Sequence, residues 1–357
     1  MSQGVPFFVA VWNNGERMLI SEFDYELPDE LIAQEPLADR SGSRMLVVDH
    51  AVEGFTDHSF SEFPTFLRSG DLLVVNNTKV FPARLLGQSE TGANVELFLV
   101  EELDPGSWTT LAKPARRLRP GKRILFGDKL AAEIVAKTDE GKVVVKFMAD
   151  GDLDTVIDEL GHTPLPPYIK RDEDSDRERY QTVYAKERGA IAAPTAGLHF
   201  TPATMDAVRA NGVDVAEITL HVGYGTFEPV RVEELSQHAV MPERYSIDDP
   251  TANRLNAAKN EGRRIVTVGT TTTRALESNL AEFETFTSGR HTANLTITPG
   301  YKFRAIDALL TNFHLPKSSL LVLTSTFGGH ELIMSAYRHA VAEKYRFYSY
   351  GDCMLIS

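Results

Sequence analysis

Apolar and polar positions fall into three successive textures along the chain. Over 22–64 they are mixed: 28–34 is compatible with a helix carrying Asp29 and Glu30 in its first turn, 39–43 is a polar turn, and 44–49 reads as a strand. From 70 to 148 the text breaks into short β-rich runs at 72–75, 95–100, 108–111, 123–126, 130–135 and 142–147. Turn residues separate them at Gly87, Gly92, Pro105-Gly106, Pro120-Gly121, Gly127-Asp128 and Gly141. About six strands with almost no helical text between them predict a small barrel.

Beyond 150, helices and strands alternate. Thr201 is an N-cap and Pro202 a first helical residue, opening a helix over 203–211 that Gly212 stops. Val213, Val215, Ile218 and Leu220 then lie among polar residues in a period-2 strand. Asp249-Pro250 opens a second helix, 251–261, stopped at Gly262, and 264–268 is a buried strand leading through Gly269 into a third helix. The run 319–323 reads as a strand ending in the loop 324–329. After it, Leu332, Ile333, Ala336, Tyr337, Ala340 and Val341 share one helical face. Strand–loop–helix units predict an α/β core with its ligand crevice at the carboxyl ends of the strands. There is no GxGxxG run. Gly223-Tyr-Gly225 leads to Pro229 and a strand-like 230–232 instead of a helix, which excludes a Rossmann-type cofactor site.

Composition narrows the chemistry. With 357 residues, 42% of them hydrophobic, the chain can build two domains with a substantial core. No apolar run reaches membrane-spanning length, and the apolar stretch 5–12 lacks a basic flank and a small-residue cleavage site, so a cytoplasmic protein is expected. The single cysteine, Cys353, excludes an intrachain disulfide, a zinc–thiolate site and a three-cysteine iron–sulfur cluster. The histidines form no HExxH pattern, so no metal is expected. A net charge of −13 argues against general nucleic-acid binding, yet Lys113, Arg116, Arg117, Arg119, Lys122 and Arg123 crowd into eleven residues. That cluster reads either as a phosphate patch or as a solvated loop.

Two runs concentrate candidate chemistry: Ala193-Pro-Thr195-Ala-Gly197-Leu-His199-Phe200-Thr201 and His221-Val-Gly223-Tyr224-Gly225-Thr226-Phe227-Glu-Pro-Val230. Each joins a histidine, able to move protons near neutral pH, to glycines, a threonine and an aromatic. Both histidines sit at element ends, where loops carry function. Spacing alone leaves packing and catalysis equally open.

These residues resemble the S-adenosylmethionine:tRNA ribosyltransferase-isomerase family of queuosine biosynthesis. The resemblance runs from Phe23 to Ile356 through Phe23-Asp-Tyr-Glu-Leu-Pro28, Asp71-Leu-Leu-Val-Val-Asn-Asn-Thr-Lys-Val80, Pro82-Ala-Arg84 and Pro164-Leu-Pro-Pro-Tyr-Ile169. It continues through Glu178-Arg-Tyr-Gln-Thr-Val-Tyr-Ala185, the two histidine runs, Asp307-Ala-Leu-Leu-Thr-Asn-Phe-His-Leu-Pro-Lys-Ser318 and Tyr345-Arg-Phe-Tyr-Ser-Tyr-Gly-Asp352. It implies an α/β catalytic domain with an inserted small all-β barrel domain, with 1–64 and 151–357 as the catalytic domain and 65–150 as the barrel. It also implies a metal-free transfer of the ribosyl part of S-adenosylmethionine onto 7-aminomethyl-7-deazaguanine at the tRNA wobble position. The products would be epoxyqueuosine, adenine and methionine. A methyltransferase using the same co-substrate is the alternative, and would yield S-adenosylhomocysteine.

Such a transfer needs groups that move protons, which points to His199 and His221, with Asp352 as a partner. Which histidine is base and which is acid does not follow from sequence. Thr195, Gly197, Phe200, Gly223, Tyr224, Gly225, Thr226 and Phe227 are the expected S-adenosylmethionine-binding residues. The aromatics among them would face adenine or the sulfonium. Thr270, Thr271 and Arg274, at a helix start, are expected to hold the methionine carboxylate or a tRNA phosphate. Arg84, Asn312, His314 and Lys317 join the basic cluster as expected tRNA contacts. A monomer with no obligate protein partner is expected. Tyr224 stands where the family usually has alanine and Glu228 where it has glutamine. Val240 and Met241 stand where the family often has Met and His, so Met241 is left out of the catalytic set.

Overall fold

The computed structural model describes residues 18–139, 141–166, 168–169, 176–223, 225 and 230–357. Its strands are β1 (Arg44–Asp49), β2 (Gly54–Ser59), β3 (Leu72–Asn76), β4 (Thr78–Val80), β5 (Arg84–Ser89), β6 (Asn94–Asp104), β7 (Ser107–Lys113), β8 (Arg123–Phe126), β9 (Leu130–Lys137) and β10 (Val143–Ala149). They continue as β11 (Glu187–Ala190), β12 (Asp214–Leu220), β13 (Glu243–Ile247), β14 (Ile265–Val268), β15 (Gly289–Ala293), β16 (Ala308–Asn312) and β17 (Cys353–Ile356). The helices are α1 (Leu153–Leu160), α2 (Asp176–Arg179), α3 (Pro202–Ala210), α4 (Asp249–Asn260), α5 (Thr270–Phe283), α6 (Ser319–Gly328) and α7 (His330–Ala342).

Nine strands form one mixed sheet in the order β15-β13-β12-β3-β14-β16-β17-β1-β2. Its centre is parallel: β12, β3, β14 and β16 run side by side in the same direction. β3, β14 and β16 are buried throughout, as expected for strands covered on both faces, and β12 is buried over its last three residues. One layer packs α4 and α5 around Ile218, Leu255 and Leu276, and the other packs Phe60, Phe63, Phe200 and Val208. A further core under β1 and β17 gathers Phe313, Tyr337, Tyr345 and Phe347 beneath α6 and α7.

The second unit is a closed six-stranded barrel, β10-β7-β6-β5-β8-β9, antiparallel throughout. Inward alternation of Leu85, Val95, Leu97, Leu99, Ile124 and Val145 fills it. The run 72–75, expected among the barrel strands, belongs instead to the centre of the large sheet as β3. The barrel's sixth strand is β5, which escaped the hydrophobic pattern because the apolar Leu86 turns outward beside Gln88, and Gly87 and Ser89 follow Leu85 on the opposite face. Gly87 is needed there: a Cβ would meet the Leu125 carbonyl at 2.5 Å and the Phe126 ring at 2.6 Å.

Two other expectations change. The segment 28–34 forms only a 3-10 turn at Asp29–Leu31, with Pro28 and Ile32 extended on either side. The run 319–323 is the start of helix α6, not a strand. Ser318 caps it by accepting the Leu321 N–H, and Leu321, Val322 and Leu323 are all buried. A short apolar run carries no period that separates a strand from a buried helix. Helices α3 and α4 start and stop as expected, with Thr201 and Asp248 as side-chain caps.

Candidate active site

A cleft opens at the carboxyl ends of the parallel strands, where an α/β sheet places its ligands. Thr270, Thr271, Leu320 and Tyr348 line both of its lobes. The wider lobe adds Gly225, Glu243, Arg274 and Lys317; the narrower adds Thr195, Val222, Asn312, Phe313 and His314. Thr270 and Thr271 stand in the first turn of α5, just after Gly269 (φ +90°).

Asparagines at the end of β3 fix the end of β12. The Asn76 amide donates to the Leu220 carbonyl, 2.9 Å, and its oxygen accepts from the Leu220 and Thr78 N–H groups. The next residue after β12, His221, is thereby aimed at Thr78, whose hydroxyl lies 2.9 Å from Nδ1. Thr78 Oγ1 donates to the Glu187 carbonyl, so it accepts from His221 Nδ1–H and leaves Nε2 as the ring's lone pair. Nε2 has no partner among the described residues. The ring lies on the backbone of Gly189 (φ +152°), where a Cβ would come within 2.7 Å of it. His221 is half-buried. Burial lowers its pKa, Glu187 raises it, and Arg244 and Arg290 lower it again, for a net downward shift. It does not line either lobe; its neighbour Val222 does.

His199 has a different environment. It is buried, with Nδ1 on Ser43 Oγ at 2.9 Å and Nε2 on the Asn312 amide nitrogen at 3.1 Å. Burial, with the Arg346 and Arg40 charges, pulls its pKa down to about 4. Both ring nitrogens are engaged inside the protein, with Ser43 and Asn312. The two histidines have no partner in common. Asp352 is a brace. Its two oxygens accept the Arg44 and Arg346 N–H groups, at 2.9 and 2.8 Å, and tie the last strand to β1. Burial raises its carboxyl above the usual range, against the pull of those bonds.

Arg274 lines the wide lobe, but most of its guanidinium is engaged within the protein. It is buried and bonds four protein oxygens: those of Leu295, Met241 and Ala293, and Glu243 Oε2 at 2.6 Å. Glu243 Oε1 in turn accepts the Gly223 N–H at 3.1 Å, so the ion pair also holds Gly223. Phe200 is a core aromatic, edge-on to Phe60 and Phe63, and no platform for adenine. Gly197 packs against Tyr184, whose hydroxyl a Cβ would meet at 2.1 Å.

A family model described as queuosine biosynthesis protein matches residues 20–356. The chain belongs to this family. It is 50% identical over 341 residues to the S-adenosylmethionine:tRNA ribosyltransferase-isomerase of Symbiobacterium thermophilum, covering 95% of this chain and 100% of that protein. It is 48% identical over 343 residues to the enzyme of the same name from Syntrophotalea carbinolica, with 95% and 100% covered. Among solved structures it is similar to S-adenosylmethionine tRNA ribosyltransferase from Thermotoga maritima, at 36% identity and a TM-score of 0.54 over 94% of this chain and 100% of that one.

The expected tRNA contacts divide in the same way. Asn312 and His314 are buried in the cleft floor, and His314 Nε2 bonds Thr311 Oγ1 while burial drives its pKa down to about 3. Arg84 is paired with Glu96 in the barrel wall, and Lys317 with Asp24 at the mouth of the wide lobe. Lys122 and Arg123 lie near Glu90 and Glu133, whereas Arg116, Arg117 and Arg119 are exposed on the β7–β8 loop with no ion pair among the described residues. Tyr224, Thr226 and Phe227 lie outside the described residues. No three His, Cys, Asp or Glu side chains gather as a metal site among the described residues, and no described helix is long and apolar enough to cross a membrane. Ser43, Asn76, Thr78 and Glu243 were missed as positioning residues. Asn76 and Thr78 lay in a quoted motif, but only their partners disclose what they hold.

The neutral buried histidines make a stability prediction. The unfolded chain takes up a proton at each position below about pH 6.5, the folded chain only below about 4 at His199 and about 3 at His314. Stability therefore falls on acidification across that window, by about 1.4 kcal/mol per pH unit for each group. Urea unfolding of wild type and His199→Gln between pH 6.5 and 4.5 checks this. The wild type should lose more stability than the variant, and equal slopes would contradict the reading.

Proposed function

We propose that this protein transfers the ribosyl part of S-adenosylmethionine to the aminomethyl nitrogen of 7-aminomethyl-7-deazaguanine at the wobble position of tRNA, giving epoxyqueuosine, adenine and methionine. The observation that carries this reading is the near-complete match to enzymes named for the reaction. The cleft at the strand ends supports it, since its wide lobe is lined by Glu243, Arg274 and Lys317 while the described lining of its narrow lobe carries no charged side chain. In the reaction the sulfonium acidifies the neighbouring ribose carbon, which loses a proton to a base. The furanose opens as adenine leaves with a proton. The neutral aminomethyl nitrogen then bonds to the carbon that adenine left and gives up a proton, the deprotonated carbon next to sulfur bonds to that same carbon to close the carbocycle, and the former ring oxygen displaces sulfur to close the epoxide, the C–S electron pair leaving with methionine. We assign the proton transfer to His221, whose neighbour Val222 lines the narrow lobe and whose Nε2 lone pair has no partner among the described residues, held in that tautomer by Thr78.

Incubation with S-adenosylmethionine and tRNA bearing 7-aminomethyl-7-deazaguanine, with no metal added, should release free adenine and methionine. S-adenosylhomocysteine as the main product would overturn the proposal in favour of methyl transfer.

The exposed Arg116, Arg117 and Arg119 are the part of the basic cluster free to hold tRNA phosphates. On a chain of net charge −13 their local effect must be large. Changing all three to glutamate should weaken tRNA binding and flatten the slope of log affinity against log salt by roughly 2–3, while S-adenosylmethionine affinity stays the same. An unchanged tRNA affinity would return the loop to a merely solvated role.

A further inference from the structure

Three buried polar atoms of the narrow lobe have no hydrogen-bond partner among the described residues, Tyr180 OH, Thr271 Oγ1 and Asn312 Oδ1, and only the last is confined to accepting. Asn312 sits at the end of β16, 3% exposed, and lines the lobe. Its amide nitrogen donates to the Asp352 carbonyl at 3.3 Å and to His199 Nε2 at 3.1 Å. A carbonyl can only accept, so the amide orientation is fixed by Asp352, and both amide hydrogens are committed away from the lobe. His199 Nε2 must then be the accepting nitrogen. The ring proton lies on Nδ1 and is donated to Ser43 Oγ at 2.9 Å. Its pKa of about 4 keeps the imidazole neutral in this role at working pH. What remains is Asn312 Oδ1, a buried acceptor without a hydrogen bond. A buried acceptor of this kind is costly unless a ligand supplies the donor.

The lobe around it limits what that donor can be. Its described lining contains no Asp, Glu, Lys or Arg. Its one histidine, His314, is bonded to Thr311 and held neutral by burial. An ammonium group would find no countercharge there. The walls are Ala192, Ala193, Pro194, Val222, Phe313 and Leu320, which suit a flat neutral heterocycle with a polar edge. Thr271 Oγ1, in the first turn of α5, is also buried without a partner, while Thr272 and Thr273 return theirs to Val268 and Gly269. It supplies a second polar contact where the two lobes meet.

We infer that the narrow lobe is the adenine subsite, with Asn312 Oδ1 accepting a hydrogen bond from the exocyclic amine and the Ser43–His199–Asn312 chain holding that oxygen in place. The inference rests on the proposed reaction and specifies where its leaving group is recognised. His199 acts here through Asn312, as a positioning residue.

The test compares S-adenosylmethionine with its 6-hydrogen and 6-oxo purine counterparts, reading kcat/KM for base release in the presence of substrate tRNA. The wild type should prefer the 6-amino compound over the 6-hydrogen one by about 10–10²-fold, because the analogue leaves the oxygen unpaired. It should reject the 6-oxo compound more strongly, since two acceptors would then face each other. In Asn312→Ala the preference over the 6-hydrogen compound should shrink to within a few-fold. In His199→Phe, which keeps a ring but removes the acceptor, it should also shrink. A purely structural role for His199 would instead lower both rates equally and leave the ratio unchanged. A wild type that uses the 6-oxo compound as well as S-adenosylmethionine overturns the inference without any variant. So does an unchanged ratio in a folded Asn312→Ala protein. A wild type that releases no adenine from S-adenosylmethionine overturns the proposed function itself.

Discussion

His221→Ala lowers turnover by about 10²–10⁴-fold, the loss expected for an acid–base group, with S-adenosylmethionine affinity close to wild type. The expectation rests on a half-buried ring whose Nδ1 is tethered to Thr78 and whose Nε2 is left without a partner among the described residues. Its pKa is lowered from 6.5, so the ring is neutral and competent as a base at neutral pH. Thr78→Val should cost less, because it removes the tether and not the imidazole. The measurement is single-turnover adenine release alongside calorimetric binding of S-adenosylmethionine. A His221→Ala protein within a few-fold of the wild-type rate would make this residue a packing group and move the proton chemistry elsewhere.

The largest stability effect is expected at the Arg274–Glu243 pair. The two side chains are 7% and 9% exposed, with 2.6 Å between Nη1 and Oε2. Burial already lowers the Arg274 pKa, opposed by the Glu243 charge. Glu243→Ala leaves the guanidinium buried without its counterion, a change worth about 3–5 kcal/mol. It also frees the Gly223 N–H. Replacing both partners by apolar residues, Glu243→Leu with Arg274→Met, should destabilise less than Glu243→Ala alone, since no charge is then stranded. Urea unfolding of the single and double variants reads this directly. A loss below about 1 kcal/mol in Glu243→Ala would mean that water or rearrangement solvates Arg274.

Elements with local signals could be read from the sequence, and side chains with distant partners could not. Helices α3 and α4 carry caps, an early proline and a following glycine within a dozen or so positions, and they form where those signals stand. The barrel's inward alternation was visible in most of its strands, but β5 turns the apolar Leu86 outward and follows Leu85 with Gly87 and Ser89 on the opposite face. The helix α6 had no local period to betray it, being buried nearly all round. The site residues divide by the same rule. Gly225, Thr195, Thr270 and Thr271 line the cleft. Arg274 looked like a ligand for an anion because the acceptors that engage most of it lie 19 to 33 residues away. Asp352 looked like a catalytic partner because one of its two bonds reaches back 308 residues to Arg44. Asn312 meets His199 across 113 residues, and only that contact turns one into an acceptor and the other into its support. A loop glutamate, a core phenylalanine and a buried arginine have no sequence mark that tells them from binding residues.

Ribosyl transfer is tested most directly by following two isotopes through one reaction. S-adenosylmethionine carrying one label in its ribose carbons and another in its methyl group is incubated with the protein and tRNA bearing 7-aminomethyl-7-deazaguanine. The wobble nucleoside is then isolated and weighed. The ribose label should enter the nucleoside with the mass of the epoxyqueuosine adduct, while the methyl label leaves entirely with methionine. Methyl label in the nucleoside, with the ribose label retained in S-adenosylhomocysteine, would contradict the account.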